Sequence, residues 1–417
     1  MAAGLRGHRD FRLLWGAETA SELGSRVSTL AVPIVAVRSL HASTFAVGAL
    51  AAASTAAFLL VGLPAGAWVD RVRRRRVMVA ADLGRMLAVG SIPVAYATDH
   101  LSLAQLYVVA LVAGVLTVLF DVSYQSFLPS LVGSSELVAA NSRLTGSAQV
   151  AGVAGPGVAG ALVQSVGGAY AIAVDAVSFL ASGALIGAIR AREPMPARPV
   201  GGPPRLTREM SEGVRFVFGH PILRAIAATT ATSNLFNGIL GAVEIVFLVR
   251  VVHAPSGLIG LLFAVASAGG VLAAAVAGRI ALRVGSARAT FVGLLVGDAG
   301  GLVIPLTTRG AGVWLFAAGS FATAFGAVLY NVNQVSFRQR LCPEHLLGRM
   351  NATMRFVVWG VLPIGALIGG ALGTALGTRA TLWVAAGGGA LATGWLLASP
   401  VRRMRDYPTA TIEPHGV

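Results

Sequence analysis

Hydrophobic residues along this chain form long runs, without the alternation that marks the strands of a membrane β-barrel. Most runs contain roughly 20 residues, the length that an α-helix needs to cross the hydrocarbon core of a bilayer. The first run is too long for the core of a signal peptide, so we expect it to be retained. The pattern predicts an all-α membrane protein with twelve transmembrane helices, spans 1 to 12, near residues 11–37, 44–69, 77–98, 103–127, 141–165, 168–189, 225–249, 257–278, 289–307, 312–335, 351–375 and 379–399.

Composition agrees with a protein that is largely surrounded by lipid. The mean hydropathy is +0.76, 55% of the residues are hydrophobic, and the 52 glycines suit helices that approach one another closely. The single cysteine, Cys342, cannot form an internal disulfide, and no group of His and Cys residues has metal-ligand spacing. We therefore expect no metal, no cofactor and no redox chemistry.

The net charge of +15 has a topological explanation. In a soluble protein, clustered arginines would suggest a nucleic acid partner, but here they lie mostly in loops between apolar runs. Loops on one side of the predicted spans hold most of them, and by the positive-inside rule we expect both termini in the cytoplasm. All 32 basic residues are arginine, which we interpret as the codon bias of a GC-rich bacterium. We expect a multi-pass monomer in the bacterial inner (cytoplasmic) membrane, with the bilayer and no nucleic acid as partner.

The longest polar interruption, "RAREPMPARPVGGPPRLTREMSEG", divides the spans into six plus six. It predicts an N-terminal six-helix lobe (1–190), a cytoplasmic linker (191–219), a C-terminal six-helix lobe (220–399) and a cytoplasmic tail (400–417). Within the linker, the pattern from Leu206 to Phe218 predicts a short amphipathic helix on the cytoplasmic surface.

The two halves carry similar blocks of sequence. "QSFLPSLVGSSELVAANS" and "VSFRQRLCPEHLLGRMNA" each place a Ser-Phe pair fifteen residues before an asparagine, which is Asn141 or Asn351. "GAWVDRV" from Gly66 likewise has a counterpart in "GRIALRV" from Gly278. Two blocks repeated at nearly one offset predict a duplication, with a pseudo-two-fold axis along the membrane normal, which is a common architecture of transporters.

Several segments together point to a known family. They are "FRLLWGAETASELGSR" in span 1, "GAWVDRVRRRRVM" after span 2, "GPGVAG" in span 5, "DAVSFL" in span 6 and "GRMNA" before span 11. From Phe11 to about Ser399 the chain resembles the major facilitator superfamily, in particular the drug:proton antiporter branch that includes macrolide-efflux proteins and enterobactin exporters. The resemblance implies a two-lobed carrier that works by alternating access.

The loop after span 2 matches the family pattern Gly-x-x-x-Asp-Arg-x-x-Arg-Arg through Gly66, Asp70, Arg71, Arg74 and Arg75. In the family this loop locks the two halves on the cytoplasmic side when the carrier faces outward. The alternative is that the arginines serve only to orient the protein in the membrane, which leaves the aspartate unexplained.

Asp121 in span 4 lies roughly 10 Å from the cytoplasmic face by helix rise. We expect it to form a charge relay with the loop arginines rather than to carry a proton itself.

Span 5 resembles the antiporter motif Gly-x-x-x-Gly-Pro-x-x-Gly-Gly through Gly155, Pro156 and Gly160, which predicts a bent helix with close neighbours. Ala151 and Ala159 replace two of the motif's glycines. Ordinary glycine-rich packing is the alternative explanation.

Acids inside a membrane are expensive and therefore mark functional sites. Glu18, Glu22 and Arg26 recur every four residues and form one stripe along span 1. Glu22 lies about 16 Å along the helix from Phe11, near the middle of the bilayer. In the family, spans 1, 4, 7 and 10 line the central cavity. We expect proton coupling at this stripe, first at Glu22, with Glu244 in span 7 as a second cavity acid; a structural Glu22–Arg26 ion pair is the alternative.

The remaining buried acids receive structural interpretations. Asp82 and Arg85 are three residues apart and predict a local pair. Asp175 and Asp298 lie on spans that pack peripherally in the family. The chain also departs from its relatives, because many carry an aspartate where it has Ser25, and the wider group carries an arginine in span 4 that it lacks.

Polar and aromatic residues on spans 4, 7 and 10 predict an amphipathic cavity, lined by Tyr124, Gln125, Asn234, Asn237, Tyr330, Asn331 and Asn333.

The chain is expected to be a secondary active transporter, not an enzyme, that exports small amphipathic drug-like compounds in exchange for protons. A carrier of a native metabolite, such as a siderophore or lipid, stays open because fold does not decide substrate. A polytopic membrane transferase is less favoured, because the chain lacks an Asp-Asp pair for a metal diphosphate.

Overall fold

The computed structural model describes residues 8–69, 72–133, 136–191, 193, 206–343 and 346–408. Within these ranges the chain forms α-helices and short 3-10 turns, and no strand. The helices are α1 Arg9–Arg38, α2 Thr44–Val69, α3 Arg74–Ala97, α4 Leu103–Val132, α5 Leu137–Val166, α6 Gly168–Gly187, α7 Leu206–Gly219, α8 Pro221–Arg250, α9 Ser256–Val284, α10 Ser286–Val303, α11 Trp314–Leu341, α12 Leu347–Trp359, α13 Val361–Ala375 and α14 Thr378–Leu397.

The predicted all-α membrane architecture is confirmed. Eleven stretches of the described chain are long and apolar enough to cross a membrane, with α12 and α13 together making one span, Arg349–Ala375. The predicted span 1 corresponds to α1, whose 30 residues extend about 45 Å, long enough to cross a bilayer. It is less apolar than the others because Glu18, Glu22 and Arg26 lie in its central turns.

Short connections end several helices on glycines with positive φ. Gly167, with φ of 86°, separates α5 from α6, and Gly377, with φ of 84°, precedes α14. Only glycine adopts this conformation without steric cost, so these positions turn the chain sharply back into the membrane.

The chain divides into two compact units. Unit 1 comprises Met1–Val200 and Leu248–Ala264, and unit 2 comprises Gly201–Phe247 and Val265–Val417. In unit 1, α1 packs on α5 and α6, α3 packs on α4 and α6, and α2 packs on α4. The core between these helices is apolar and includes Phe11, Leu14, Met78, Phe127 and Ile186.

Polar contacts hold the segment Leu248–Ala264 within unit 1. The guanidinium of Arg38 donates to Ser256 Oγ at 2.8 Å and to the Ala254 carbonyl at 3.0 Å. Arg250 donates to the Ala42 carbonyl at 2.6 Å. The helices α5 and α9 also cross closely here, because Gly160 lies against the backbone of Gly260.

In unit 2, α10 packs on α11 and α14, and α7 packs on α12. Gly213 of α7 lies so close to α12 that a Cβ atom there would be 2.7 Å from the Arg349 carbonyl oxygen. Glu212 forms an ion pair with Arg349 beside this contact. The helix between the two six-span halves is therefore docked on the start of span 11.

Residues after the last helix also pack on unit 2. Asp406 accepts a hydrogen bond from the backbone N–H of Ser286 at 2.8 Å, at the start of α10. The ring of Tyr407 stacks on Phe337 with centroids 4.2 Å apart. Burial raises the pKa of Tyr407 to about 12, so its hydroxyl stays protonated and bonds to Thr290.

Candidate functional site: charged residues inside unit 1

The stripe predicted on span 1 lies on α1, where Arg26 and Glu22 form an ion pair. Their side chains are 41% and 34% exposed, so the pair lies at a surface of unit 1 rather than in its core. Gly155 of α5 lies against Arg26, and a Cβ atom there would be 2.7 Å from the Arg26 Cβ and Cγ atoms. The glycine of the span 5 motif therefore allows α5 to approach the stripe on α1.

Glu18, one turn before Glu22, has a different environment. Its Oε1 atom is closed off from solvent and has no hydrogen-bond partner among the described residues. The charges that act on it are those of Asp121, Arg85, Asp82 and Glu22, which come from three helices. Glu18 is thus the member of the stripe that points toward other charged groups of unit 1.

Asp82 and Arg85 form the ion pair that their spacing predicts. The pair is almost fully enclosed, with side-chain exposures of 0% for Asp82 and 4% for Arg85. The Arg85 guanidinium lies 4.5 Å from the ring centroid of Phe120 and 4.4 Å from that of Phe179. It is therefore held between two aromatic rings, a favourable arrangement for a desolvated cation.

Asp175 on α6 is also buried, at 2% exposure, but hydroxyl groups surround it. Ser178 Oγ lies 3.3 Å from its Oδ1 atom, and Ser25 and Ser28 of α1 face the carboxylate. Gly24 permits this approach, since a Cβ atom there would be 2.8 Å from Asp175 Oδ1. Ser25, where the family resemblance would lead one to expect an aspartate, thus lies beside an aspartate of α6.

The predicted cytoplasmic gate is only partly described. Asp70 and Arg71 lie outside the described residues, and of Gly66 only its place in α2 is described. The backbone N–H groups of Arg74 and Arg75 donate to the Glu193 carboxylate at 2.7 and 3.3 Å. Glu193 thereby caps the N-terminus of α3, where a negative charge is favourable.

Two further interactions concern the gate residues. The Arg75 guanidinium donates to the Ile189 carbonyl, which fixes it against the end of α6. Asp121 acts electrostatically on Glu18 and Tyr124. The predicted relay between Asp121 and the loop arginines stays a prediction.

The sequence analysis did not identify Glu193 as a partner of the loop. Its position as an isolated acid in a basic linker was a signal that it contacts positively charged or N–H groups nearby.

The other candidate residues of unit 1 lie on α4, α5 and α1. Tyr124 is half-buried and Gln125 is exposed. Pro156 lies within α5, one residue after Gly155. A further contact that sequence did not predict is the hydrogen bond from Trp15 Nε1 to Ser147 Oγ at 2.6 Å, which joins α1 to α5.

Unit 2 places its candidates in two environments. Asn237 and Asn331 are exposed, and Glu244 is half-buried on α8. Others bond within the unit, because Tyr330 Oη lies 2.7 Å from Thr230 Oγ1 and Asn234 Nδ2 donates to the Val358 carbonyl at 2.8 Å. Asn333 is buried and donates to the Leu329 carbonyl of its own helix.

Asp298 also lies in unit 2, where Thr393 Oγ1 donates to its Oδ2 atom at 2.7 Å. In the described part of the chain, no group of His, Cys, Asp and Glu side chains is arranged to hold a metal ion.

Apolar spanning helices that carry charged residues are typical of a multi-pass membrane protein with a functional interior, and the comparisons with known proteins identify the class as a transporter. Residues 3–414 match the family described as transmembrane secretion effector, and the chain belongs to this family of the major facilitator superfamily. The resemblance to drug-efflux members of that superfamily, based on the sequence motifs, is confirmed.

Two curated relatives cover most of the chain. The multidrug efflux pump Tap of Mycolicibacterium fortuitum is 28% identical over 386 residues, which cover 88% of this chain and 90% of Tap. The uncharacterised MFS-type transporter YfiS of Bacillus subtilis (strain 168) is 26% identical over 412 residues, which cover 94% of this chain and 91% of YfiS.

Solved structures share the fold. A bacterial homologue of the iron transporter ferroportin, in an inward-facing state, superposes with a TM-score of 0.75 at 17% identity, over 94% of this chain and 98% of that one. The nucleoside transporter NupG gives a TM-score of 0.77 at 9% identity, over 95% of this chain and 99% of that one. At these identities the likeness establishes the major facilitator fold and nothing about the transported molecule.

Proposed function

We propose that this protein exports small amphipathic organic compounds across the bacterial inner membrane by alternating access, in exchange for protons. The observation that carries the proposal is the stripe on α1, in which Glu18, Glu22 and Arg26 lie in the middle part of the predicted first span. Ionisable residues at that depth are costly and are kept where they serve transport. Membership of a secretion family and the similarity to Tap, a multidrug efflux pump, support the outward direction.

The two acids of the stripe have different environments, which suggests that they have different roles in transport. Glu22 is already neutralised by Arg26 and is partly exposed, which suits contact with a transported molecule. Glu18 has a closed-off oxygen without a partner, which suits a group that takes up and releases a proton. The geometry therefore favours Glu18 over Glu22 for proton exchange.

The charge balance suggests the substrate class. Acids outnumber arginines in the central turns of the unit 1 spans, because only Arg26 and Arg85 lie there to balance the acids, which are Glu18, Glu22, Asp82, Asp121 and Asp175. A weakly basic or apolar organic molecule fits such an interior better than a sugar or a phosphate.

The proposal includes the predicted domain organisation and topology. Residues 1–190 and 220–399 form the two lobes of a monomer, 191–219 is a cytoplasmic linker and 400–417 is a cytoplasmic tail. The docking of α7 on α12 supports a linker helix at the cytoplasmic ends of the spans. The loop from Gly66 to Arg75 acts as the cytoplasmic gate, and the hydrogen bonds of Glu193 support it by fixing where Arg74 and Arg75 begin α3.

The experiment that tests the function uses purified protein in proteoliposomes and ethidium, an amphipathic organic cation, as the probe. An imposed pH gradient should drive ethidium accumulation, and nigericin, which exchanges potassium for protons, should abolish it. Glu22→Gln leaves Arg26 without its partner and should weaken the apparent affinity for ethidium. Accumulation that ignores the pH gradient would contradict proton exchange, and no transport of ethidium or of uncharged amphipathic probes would contradict the substrate class.

A further inference from the structure

We propose that Arg85 is the fixed counter-charge of the buried acids of unit 1, and that its pairing with Asp82 is what leaves Glu18 able to exchange a proton. Asp82 and Arg85 are in this sense positioning residues for proton exchange. The inference rests on the proposed function and deepens it, because it assigns a role to a pair whose spacing alone suggested a local structural contact.

Arg85 is suited to be a permanent charge. A guanidinium stays protonated inside proteins, and this one is almost completely enclosed. The rings of Phe120 and Phe179 cover it, and Thr117 Oγ1 lies 3.4 Å from its Nη1 atom. These contacts hold the charge in place whichever acid neutralises it.

Asp82 neutralises Arg85 through a single contact. Only its Oδ1 atom meets the guanidinium, while Asp82 Oδ2 and Arg85 Nε have no hydrogen-bond partner among the described residues. A buried charge that loses its partner is strongly unfavourable. If Asp82 became neutral, another nearby carboxylate would therefore have to ionise and neutralise Arg85.

Glu18 is that carboxylate. The charged and titratable groups that face it are Glu22 on its own helix, Asp82 and Arg85 on α3, and Asp121 and Tyr124 on α4. From α6, Asp175 also lies within the electrostatic influence of Arg85, and it has a hydroxyl neighbour of its own, because Ser178 Oγ lies 3.3 Å from its Oδ1 atom. Because Asp82 forms the ion pair with Arg85, that cation is not available to hold Glu18 ionised by direct contact. The enclosed Oε1 atom of Glu18 has no hydrogen-bond donor among the described residues, which suits a group that exchanges a proton.

The test is chemical labelling with dicyclohexylcarbodiimide, an apolar reagent that modifies protonated carboxyl groups, read by mass spectrometry of the purified full-length protein. In the wild-type chain the reagent should modify Glu18 and leave Asp82 unmodified, which requires no variant. In Asp82→Asn, Arg85 should hold Glu18 ionised, and labelling of Glu18 should fall about tenfold, as expected for an opposite charge nearby. In the double variant Asp82→Asn/Arg85→Gln, the cation is gone and labelling should return.

Two controls separate charge from structure. Asp175→Asn removes an equally buried acid that has its own hydroxyl partners and should leave Glu18 labelling unchanged. Arg85→Gln alone should make Asp82 reactive, because it loses its cation. Equal Glu18 labelling in wild type and Asp82→Asn, or modification of Asp82 in the wild-type chain, would overturn the inference. Labelling does not measure transport, so a chain that labels as expected but does not accumulate ethidium would refute the proposed function alone.

Discussion

Buried polar and charged side chains are paired differently in units 1 and 2. Unit 1 encloses an ion pair, Asp82 with Arg85, whose charges act on Glu18, and the Oε1 atom of Glu18 has no hydrogen-bond partner among the described residues. In unit 2, by contrast, Tyr330 bonds to the hydroxyl of Thr230 and Asp298 to that of Thr393. If the halves arose by duplication, the enclosed ion pair of unit 1 and these hydroxyl contacts of unit 2 are two outcomes of the same starting framework.

The largest expected difference appears when the same substitution is made in both units. Asp82→Asn breaks the buried ion pair and leaves Glu18, which must first give up its proton, to neutralise Arg85, so it should lower the free energy of unfolding by about 3–5 kcal/mol. Asp298→Asn keeps a group that can bond to Thr393 and should cost roughly 1 kcal/mol. Thermal unfolding of the two purified variants in one detergent measures the difference. Equal losses would show that the two units do not differ in this way.

The second comparison concerns the loop motif and its counterpart. Asp70, which lies outside the described residues, corresponds in the repeated block to Leu282 of α9, so unit 2 has no acid there. Asp70→Asn removes a charged partner of the arginines and should reduce ethidium transport about tenfold with little change in protein amount. Leu282→Asn is the matched control and should retain transport. Transport that survives in Asp70→Asn would reduce the motif to a role in orientation.

A smaller effect is expected at the contact between α5 and α1. Gly155→Val places methyl groups against the stem of Arg26 and should destabilise the protein by about 1–3 kcal/mol. Gly152→Val, three residues earlier on the same helix, meets open space and carries the same cost in helix propensity. The difference in unfolding temperature isolates the contact, and identical temperatures would mean that Gly155 has no special role.

The smallest effect belongs to unit 2. Tyr330→Phe removes the hydroxyl that bonds to Thr230 and should cost about 1 kcal/mol while transport continues. Unfolding and ethidium transport are measured on the same preparation. A loss of transport with an unchanged unfolding temperature would instead place this hydroxyl at the substrate.

Local patterns predicted the helices and the pairs within them. Run length placed the spans, and the spacing of Asp82 and Arg85 predicted their contact, because both depend only on helix geometry. Contacts between helices were not predictable in the same way. The span 5 motif did not indicate that Gly155 meets Arg26, and the burial of the ion pair beside Glu18 depends on how α1, α3, α4 and α6 pack.

A break within a span and a helix cap that is distant in sequence were also harder to predict than the spans themselves. Span 11 reads as one apolar run, yet it consists of α12 and α13, which meet at Gly360 just before Pro363. The cap that Glu193 provides joins a linker residue to α3 over a sequence separation of 119 residues. Neither feature has a local signal strong enough to outweigh the surrounding pattern.

The central claim is that proton exchange resides in unit 1, at Glu18. The most direct test compares Glu18→Gln with Glu244→Gln, an acid-to-amide change in a span of unit 2, by measuring gradient-driven ethidium accumulation and ethidium exchange without a gradient on the same proteoliposomes. We expect Glu18→Gln to lose accumulation and keep exchange, because exchange moves no proton, and Glu244→Gln to keep both. Accumulation that persists in Glu18→Gln, or that disappears only in Glu244→Gln, would contradict the claim.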